Sequence, residues 1–272
     1  LAFTTSQQGT QLLIVVDHVA ADYASTLLMQ KELRASCDAL QRGVSPALAP
    51  LQLQYADFAL WQQLHTLDDE SAILEWWHSK LDGAPQLLEL PVDRARVPQD
   101  EVTGSAFLTQ IDAQTGSSMI SLCQEEHVST LCGPLVAWAA LMLQLSGQAD
   151  IVLGQPYSVQ ADHPELQDVV GCYASPLPVR IAKPTEAMNL RELLRHVYAE
   201  LLLAVDHANV PLFRIVQAFN PERSSVYNPL FQTIVQLLPE DAAELAHAPD
   251  SGSRLQGMDL FLNLTQKADG AF

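Results

Sequence analysis

The order of apolar and polar positions divides the chain into short strands and amphipathic helices. Leu12–Val16 is a continuous apolar run rich in β-branched residues, which predicts a buried strand ending at Asp17-His18. From about Ala24 to Gln41 the pattern turns helical. Leu27, Leu28 and Leu33 supply the apolar face, and Gly43 is the stop. Pro46 and Pro50 mark a loop. Helical spacing then returns over Tyr55–Gln63 and again over Glu70–Leu81, with Gly83 ending the second helix. Pro85–Asp100, with Pro91, Arg94, Arg96 and Pro98, has no apolar period and is expected to link two lobes. Beyond it the pattern predicts a strand at Phe107–Ile111, a helix at Ala113–Glu126 and a buried helix at Leu131–Leu145 stopped by Gly147. Strands follow at Ile151–Gly154 and Tyr173–Ile181. Next come helices at Leu190–Val205 and Leu212–Ala218, then strands at Phe231–Leu237 and Met258–Leu264. Leu238–Arg254, polar and acidic, is expected to be a surface loop. Strands interleaved with helices indicate an α/β or α+β fold.

Composition narrows the function classes. The chain has 272 residues, 14 basic and 32 acidic, for a net charge of −18. A nucleic acid needs a clustered basic face and an anionic membrane surface needs the same, so both are disfavoured as partners. With 48% hydrophobic residues there is ample material for a core. No apolar run reaches the roughly 18 to 20 residues of a membrane span. The start, Leu1-Ala2-Phe3-Thr4, has no initiator Met and no basic leader, and it reads as a piece of a longer protein. Cys37, Cys123, Cys132 and Cys172 form no metal-ligand or redox spacing. They are expected to be free thiols in a cytoplasmic protein.

The densest chemistry is Asp17-His18-x-x-x-Asp22, at the end of the first predicted strand. An imidazole there can exchange a proton near neutral pH, while Asp22 is also placed to cap the following helix. The other histidines (His65, His78, His127, His163, His196 and His247) show no metal-ligand spacing, and no metal site is expected. Trp76, Trp77 and Trp138 read as packing residues. No phosphate loop, dinucleotide fingerprint or nucleophile elbow occurs.

Asp17-His18-Val19-Ala20-Ala21-Asp22-Tyr23-Ala24-Ser25 resembles the H-H-x-x-x-D-G-x-S motif of nonribosomal peptide synthetase condensation domains. Further segments are similar to that family in the same order. They are Leu51–Gln62, Trp77–Arg94, Leu145–Gly154, Val170–Arg180, His207–Val216 and Arg223–Gln232, the last with Asn228-Pro229-Leu230-Phe231-Gln232 intact.

The resemblance implies an α/β (α+β sandwich) chloramphenicol-acetyltransferase-like fold of two lobes, truncated at both ends. Residues 1–93 would be the C-terminal part of the N-lobe and 94–272 an incomplete C-lobe. It also implies amide-bond formation between an acyl donor and an aminoacyl acceptor. Both would be carried on the phosphopantetheine arms of carrier proteins, with an adenylation domain nearby and no cofactor bound directly. The catalytic histidine would be His18. Asp22 would be structural and ion-paired with Arg180, and Tyr23, Ser25 and Ser175 would line the substrate path. His207 would be a structural hydrogen bonder.

The departures from the family pattern are Asp17 for the first histidine, Tyr23 for glycine, Ser175-Pro176 for Asn-Thr, and Gln160 where Arg commonly follows G-x-P-x-x-x. They leave two alternatives. One is a degenerate, non-catalytic recruitment domain. The other is a heterocyclization domain, whose D-x-x-x-x-D-x-x-S pattern fits Asp17, Asp22 and Ser25.

Overall fold

Helices begin where a short polar side chain can take up an orphan backbone donor. The computed structural model describes residues 2–6, 9–96, 105–182, 188–219, 221, 224–238 and 258–272, with backbone alone at 2–11 and 65–69. Helix α1 (Tyr23–Gln41) starts at Asp22, whose carboxylate accepts the Ser25 N–H. Asp112 does the same for Thr115 at the start of α3 (Ala113–Glu125). Asn189 and Glu192 form a reciprocal capping box on α5 (Leu190–Asp206). Helix α4 (Cys132–Ser146) is apolar and largely buried, tolerates Pro134 in its first turn, and stops at Gly147 with φ +68°. Helix α6 is Leu212–Phe219.

Two compact units divide the chain. The first comprises Leu1–His65 and Ser158–Ala174, the second Thr66–Tyr157 and Ser175–Phe272. The first unit holds an antiparallel hairpin of β1 (Ala2–Ser6) and β2 (Gly9–Leu13), followed by α1. Its core is Phe58, Leu166, Val169 and Tyr173, with Leu53, Tyr55 and Val159 packed against them. The Tyr55 and Tyr173 rings meet edge to face at 5.2 Å. The Tyr173 hydroxyl is buried without a hydrogen-bond partner among the described residues.

The second unit carries most of a four-stranded sheet of order β4-β3-β5-β6, with β3 Asp150–Ser158, β4 Ala174–Ala182, β5 Thr233–Leu238 and β6 Leu260–Thr265. β5 runs parallel to both β3 and β6. β4 lies at the sheet edge, where Pro176 and Pro178 can be tolerated. Helices and the sheet share one large core that includes Trp77, Leu135, Leu153, Val179, Leu194, Phe231 and Val235. Gln232 is buried within it. Its Oε1 accepts the Leu88 N–H at 2.7 Å, and its Nε2 donates to the carbonyls of Gln86 (2.9 Å) and Asn228 (2.7 Å).

The mixed α/β architecture agrees with the pattern, while several element boundaries differ. β2 ends at Leu13, which lies opposite Ala2 in the register, and Ile14–Val16 are not in a strand. Tyr55–Leu81 is one helix, α2, since no glycine or proline interrupts residues 63–70. Phe107–Ile111 is not a strand. Phe107 and Leu108 are exposed, and only Ile111 forms a reciprocal backbone pair, with Phe272. Residues 66–96 belong to the second unit, with Trp77, Leu81 and Leu88 buried in its core. The expected linker is therefore packed along Leu88, and Arg96 pairs with Asp259. Its residues 97–100 and the loop expected at 239–254 lie outside the described residues.

Two predictions follow from this packing. Replacing Gln232 by Leu removes hydrogen bonds from the buried Leu88 N–H and from the half-buried Gln86 and Asn228 carbonyls, and is expected to lower unfolding stability by about 3 kcal/mol in a denaturant titration. Gln236→Leu, on a more exposed hydrogen bond to Asn263, should cost no more than about 0.5 kcal/mol. The second prediction concerns Tyr173. Burial, then Tyr55 and Asp22, pushes its phenol from 10.0 up to about 12. A raised folded pKa means the associated stability is intact below about pH 10 and lost as the pH climbs towards 12. Tyr173→Phe should therefore shift the alkaline unfolding midpoint upward, as read by tyrosinate absorbance and circular dichroism together. An unchanged midpoint would contradict the assignment.

Candidate functional site

The residues singled out around His18 converge in the first unit on a segment 146 to 154 positions away in sequence. After β2 the chain makes a turn. The Asp17 carbonyl accepts the Ala20 N–H at 2.9 Å, and Asp17 Oδ1 accepts the Val19 N–H at 3.0 Å. Both bonds bracket His18, which stands exposed on the turn. An aspartate side chain bonding the backbone two residues on is a common way to hold such a bend. Asp17 thus has a local structural task.

Four residues downstream the chain is anchored. Asp22 is 2% exposed. Its Oδ1 accepts the Ser25 N–H at 2.9 Å, and its Oδ2 accepts the N–H groups of Tyr173 at 3.0 Å and Ala174 at 3.2 Å. Its own N–H donates to the Gly171 carbonyl at 3.0 Å. Ser25 is 1% exposed; its hydroxyl donates to the Gly171 carbonyl at 2.7 Å and accepts the Gly171 N–H at 3.0 Å. The Tyr55 hydroxyl donates to the Cys172 carbonyl at 3.0 Å. Residues 171–174 are thereby fixed at every position. Gly171 must be glycine, since a Cβ there would come within 2.1 Å of the Tyr55 ring.

This clamp carries Cys172, whose Sγ lies 3.7 Å from His18 Nδ1, within hydrogen-bond range for sulfur. Burial, then the Asp22 charge, pushes the Cys172 thiol above its ordinary pKa of 9.0, so it stays protonated at neutral pH. Cys172 is the site residue that sequence reasoning missed. The only signal was its place beside Gly171 in the Val170–Arg180 motif, and no local spacing ties that motif to His18.

Within its own unit each expected site residue has defined partners. Asp22 is satisfied by backbone donors, whereas Arg180 in β4 pairs with Asp150 at 2.7 Å and donates to the Lys80 and Asp82 carbonyls. A forked guanidinium finds a bidentate carboxylate and two carbonyls in its own unit. Ser25 was expected to line a substrate path, but it is buried and its hydroxyl is engaged with Gly171. Gln160, at the position where Arg is common in the family, is also buried and donates to the Leu166 and Val169 carbonyls. Tyr23 is the first residue of α1 and half-buried, with its carbonyl accepting the Thr26 hydroxyl. Ser175 is half-buried in β4 and belongs to the second unit. His207 Nδ1–H donates to the Leu203 carbonyl (2.8 Å), the ring stacks on Trp76 at 3.7 Å, and the His207 carbonyl receives the Trp77 indole N–H.

A cavity of about 340 Å³ in the second unit is lined by Trp76, Lys80, Arg180, His196 and Glu200 among others. Its charges are already paired, Lys80 with Glu200 and Arg180 with Asp150. No cluster of metal-ligating side chains occurs among the described residues, and no described helix is long and apolar enough to cross a membrane.

Comparison with known proteins agrees with the ordered motifs. The condensation-domain family model matches residues 2–259. The malpinin synthetase of Mortierella alpina is 34% identical over 234 residues, covering 85% of this chain and 3% of the synthetase. A phosphinothricin tripeptide synthetase of Streptomyces viridochromogenes is 31% identical over 270 residues, covering 94% of this chain and 24% of that protein. Among solved structures, the X-domain of teicoplanin biosynthesis, in complex with OxyB, matches with TM-score 0.72 and 28% identity over 84% of this chain and 51% of that one. A four-domain nonribosomal peptide synthetase bound to AMP and glycine matches in fold with TM-score 0.70 and 22% identity, over 82% of this chain and 17% of that one. The chain thus spans about half of the X-domain structure and a small part of the synthetases. The family match over nearly all its length, the motifs in order and the shared chloramphenicol-acetyltransferase-like fold place this chain in the condensation-domain family of nonribosomal peptide synthetases.

Proposed function

We propose that this chain takes part in amide-bond formation between two carrier-tethered substrates, with His18 as the catalytic residue. The observation that supports it is the exposed imidazole of His18, bracketed by a stapled turn and set against the anchored segment 171–174. The partners are carrier proteins, donor and acceptor, each presenting its substrate on a phosphopantetheine thioester, together with a neighbouring adenylation domain. The acceptor's α-amine attacks the donor thioester carbonyl. A C–N bond forms, the tetrahedral intermediate collapses, and the C–S bond breaks to release the donor's thiol with the proton the amine has lost. Because both substrates arrive tethered, proximity supplies much of the rate, and no covalent enzyme intermediate is required. His18 orients the amine, exchanges its proton or stabilises the developing oxyanion.

Residues 1–93 are proposed to belong to the N-lobe and 94–272 to the C-lobe, with Tyr23 and Ser175 lining the substrate path. Asp22 and Ser25 serve as structural anchors, and Arg180 holds the β4 region through Asp150. The heterocyclization pattern shares Asp22 and Ser25, which are both engaged in the clamp, and Asp17, which holds the turn. All three already have structural work, so the pattern adds no free group for a second reaction.

The test is peptide-bond formation by the native polypeptide with loaded donor and acceptor carriers. His18→Ala should lower kcat on the order of 10²–10⁴-fold, with carrier affinity little changed. Full activity without the imidazole would exclude the assigned role.

A further inference from the structure

We propose that Cys172 is the positioning residue of His18. Its S–H donates to Nδ1, fixes the neutral imidazole as the Nε2–H tautomer, and leaves Nε2–H as the donor available to a reacting oxygen. The inference rests on the reading of His18 as catalytic and selects among the three roles left open there.

Three observations carry it. Sγ and Nδ1 are 3.7 Å apart, within reach of a sulfur hydrogen bond. The backbone that carries the thiol is held in place. The Cys172 carbonyl is held by Tyr55, the Gly171 peptide by Ser25 and Asp22, and the two following N–H groups by Asp22. The thiol also remains in its protonated, donating form, because half-burial and the Asp22 carboxylate both oppose a thiolate. A protonated donor facing Nδ1 makes that nitrogen the acceptor, and in a neutral imidazole the proton must then sit on Nε2. His18 would therefore act on the tetrahedral intermediate as a hydrogen-bond donor to its oxyanion. The same protonation makes Cys172 a poor nucleophile, so no acyl transfer to sulfur is implied.

The experiment reads the tautomer directly. Long-range ¹H–¹⁵N correlation spectra of the full ¹⁵N-labelled chain, recorded where His18 is neutral, should show Nδ1 as the unprotonated nitrogen. Cys172→Ser should keep that pattern, because the hydroxyl also donates. Cys172→Ala should mix the two tautomers and lower kcat about 2–10-fold with KM unchanged, the equivalent of one modest hydrogen bond. Cys172→Ser should restore the rate to within about twofold. A wild-type spectrum with the proton on Nδ1, or a Cys172→Ala spectrum identical to wild type, would overturn the proposal and leave the role of His18 standing. A fully active His18→Ala variant alongside a tautomer that depends on Cys172 would instead overturn the functional reading and leave the positioning intact.

Discussion

The first unit depends on one buried carboxylate. Asp22 is almost wholly removed from water, and a charge in that position is tolerated only if the protein replaces its hydration. Three backbone N–H groups do so, one from the start of α1 and two from residues 151 and 152 positions later. Hydrogen bonds to a charged group are stronger than neutral ones, about 1.5–3 kcal/mol each, and losing any of them exposes an uncompensated charge. The helix start and the distant segment are thus held as one body. Ser25 and Tyr55 complete the clamp by taking the remaining polar groups of Gly171 and Cys172. Apart from the Ser25 N–H, these donors and acceptors are on the backbone of 171–174, so the clamp fixes the main chain that carries the Cys172 thiol facing His18.

Gln232 applies the same logic in the second unit with a neutral group. A single amide satisfies three backbone positions drawn from the Gln86–Leu88 stretch and from Asn228. The intact Asn228–Gln232 motif is therefore a packing device, as Asp22 and Ser25 are in the first unit. Much of what makes the chain recognisable as a family member is the requirement to satisfy buried backbone, whereas His18 stands exposed on its turn and contacts the Cys172 thiol.

Legibility in the sequence followed the range of the interaction. Caps and stops at Asp22, Gly83 and Gly147 are local, and they were readable from residue type alone. The apolar helix α4 and the amphipathic α5 announced themselves by period. Phe107–Ile111 is not a strand, because an apolar run says nothing about whether a partner strand lies alongside it. In the site, Asp22 as a cap was visible, while its bonds to Tyr173 and Ala174 were not, since no pattern links positions so far apart. The Arg180–Asp150 pair was not legible either, since it is decided by tertiary neighbours, with Asp150 placed by β3 beside β4.

Asp17 shows why a departure from a motif has to be weighed by the job its position performs. Where the family pattern has a histidine, this chain has a carboxylate that accepts the Val19 N–H and whose carbonyl accepts the Ala20 N–H. The side-chain bond is of a kind aspartate makes well, and it tightens the turn without reaching the imidazole's ring nitrogens. The substitution therefore changes how the turn is held and leaves intact the contact that sets the state of His18, which comes from Cys172 across the clamp. A substitution at Asp22 or Gly171 would act differently, since one removes the charge that gathers 173 and 174 and the other drives a Cβ into Tyr55. Asp17 holds the turn that presents the imidazole, while Asp22 and Gly171 hold the segment that faces it.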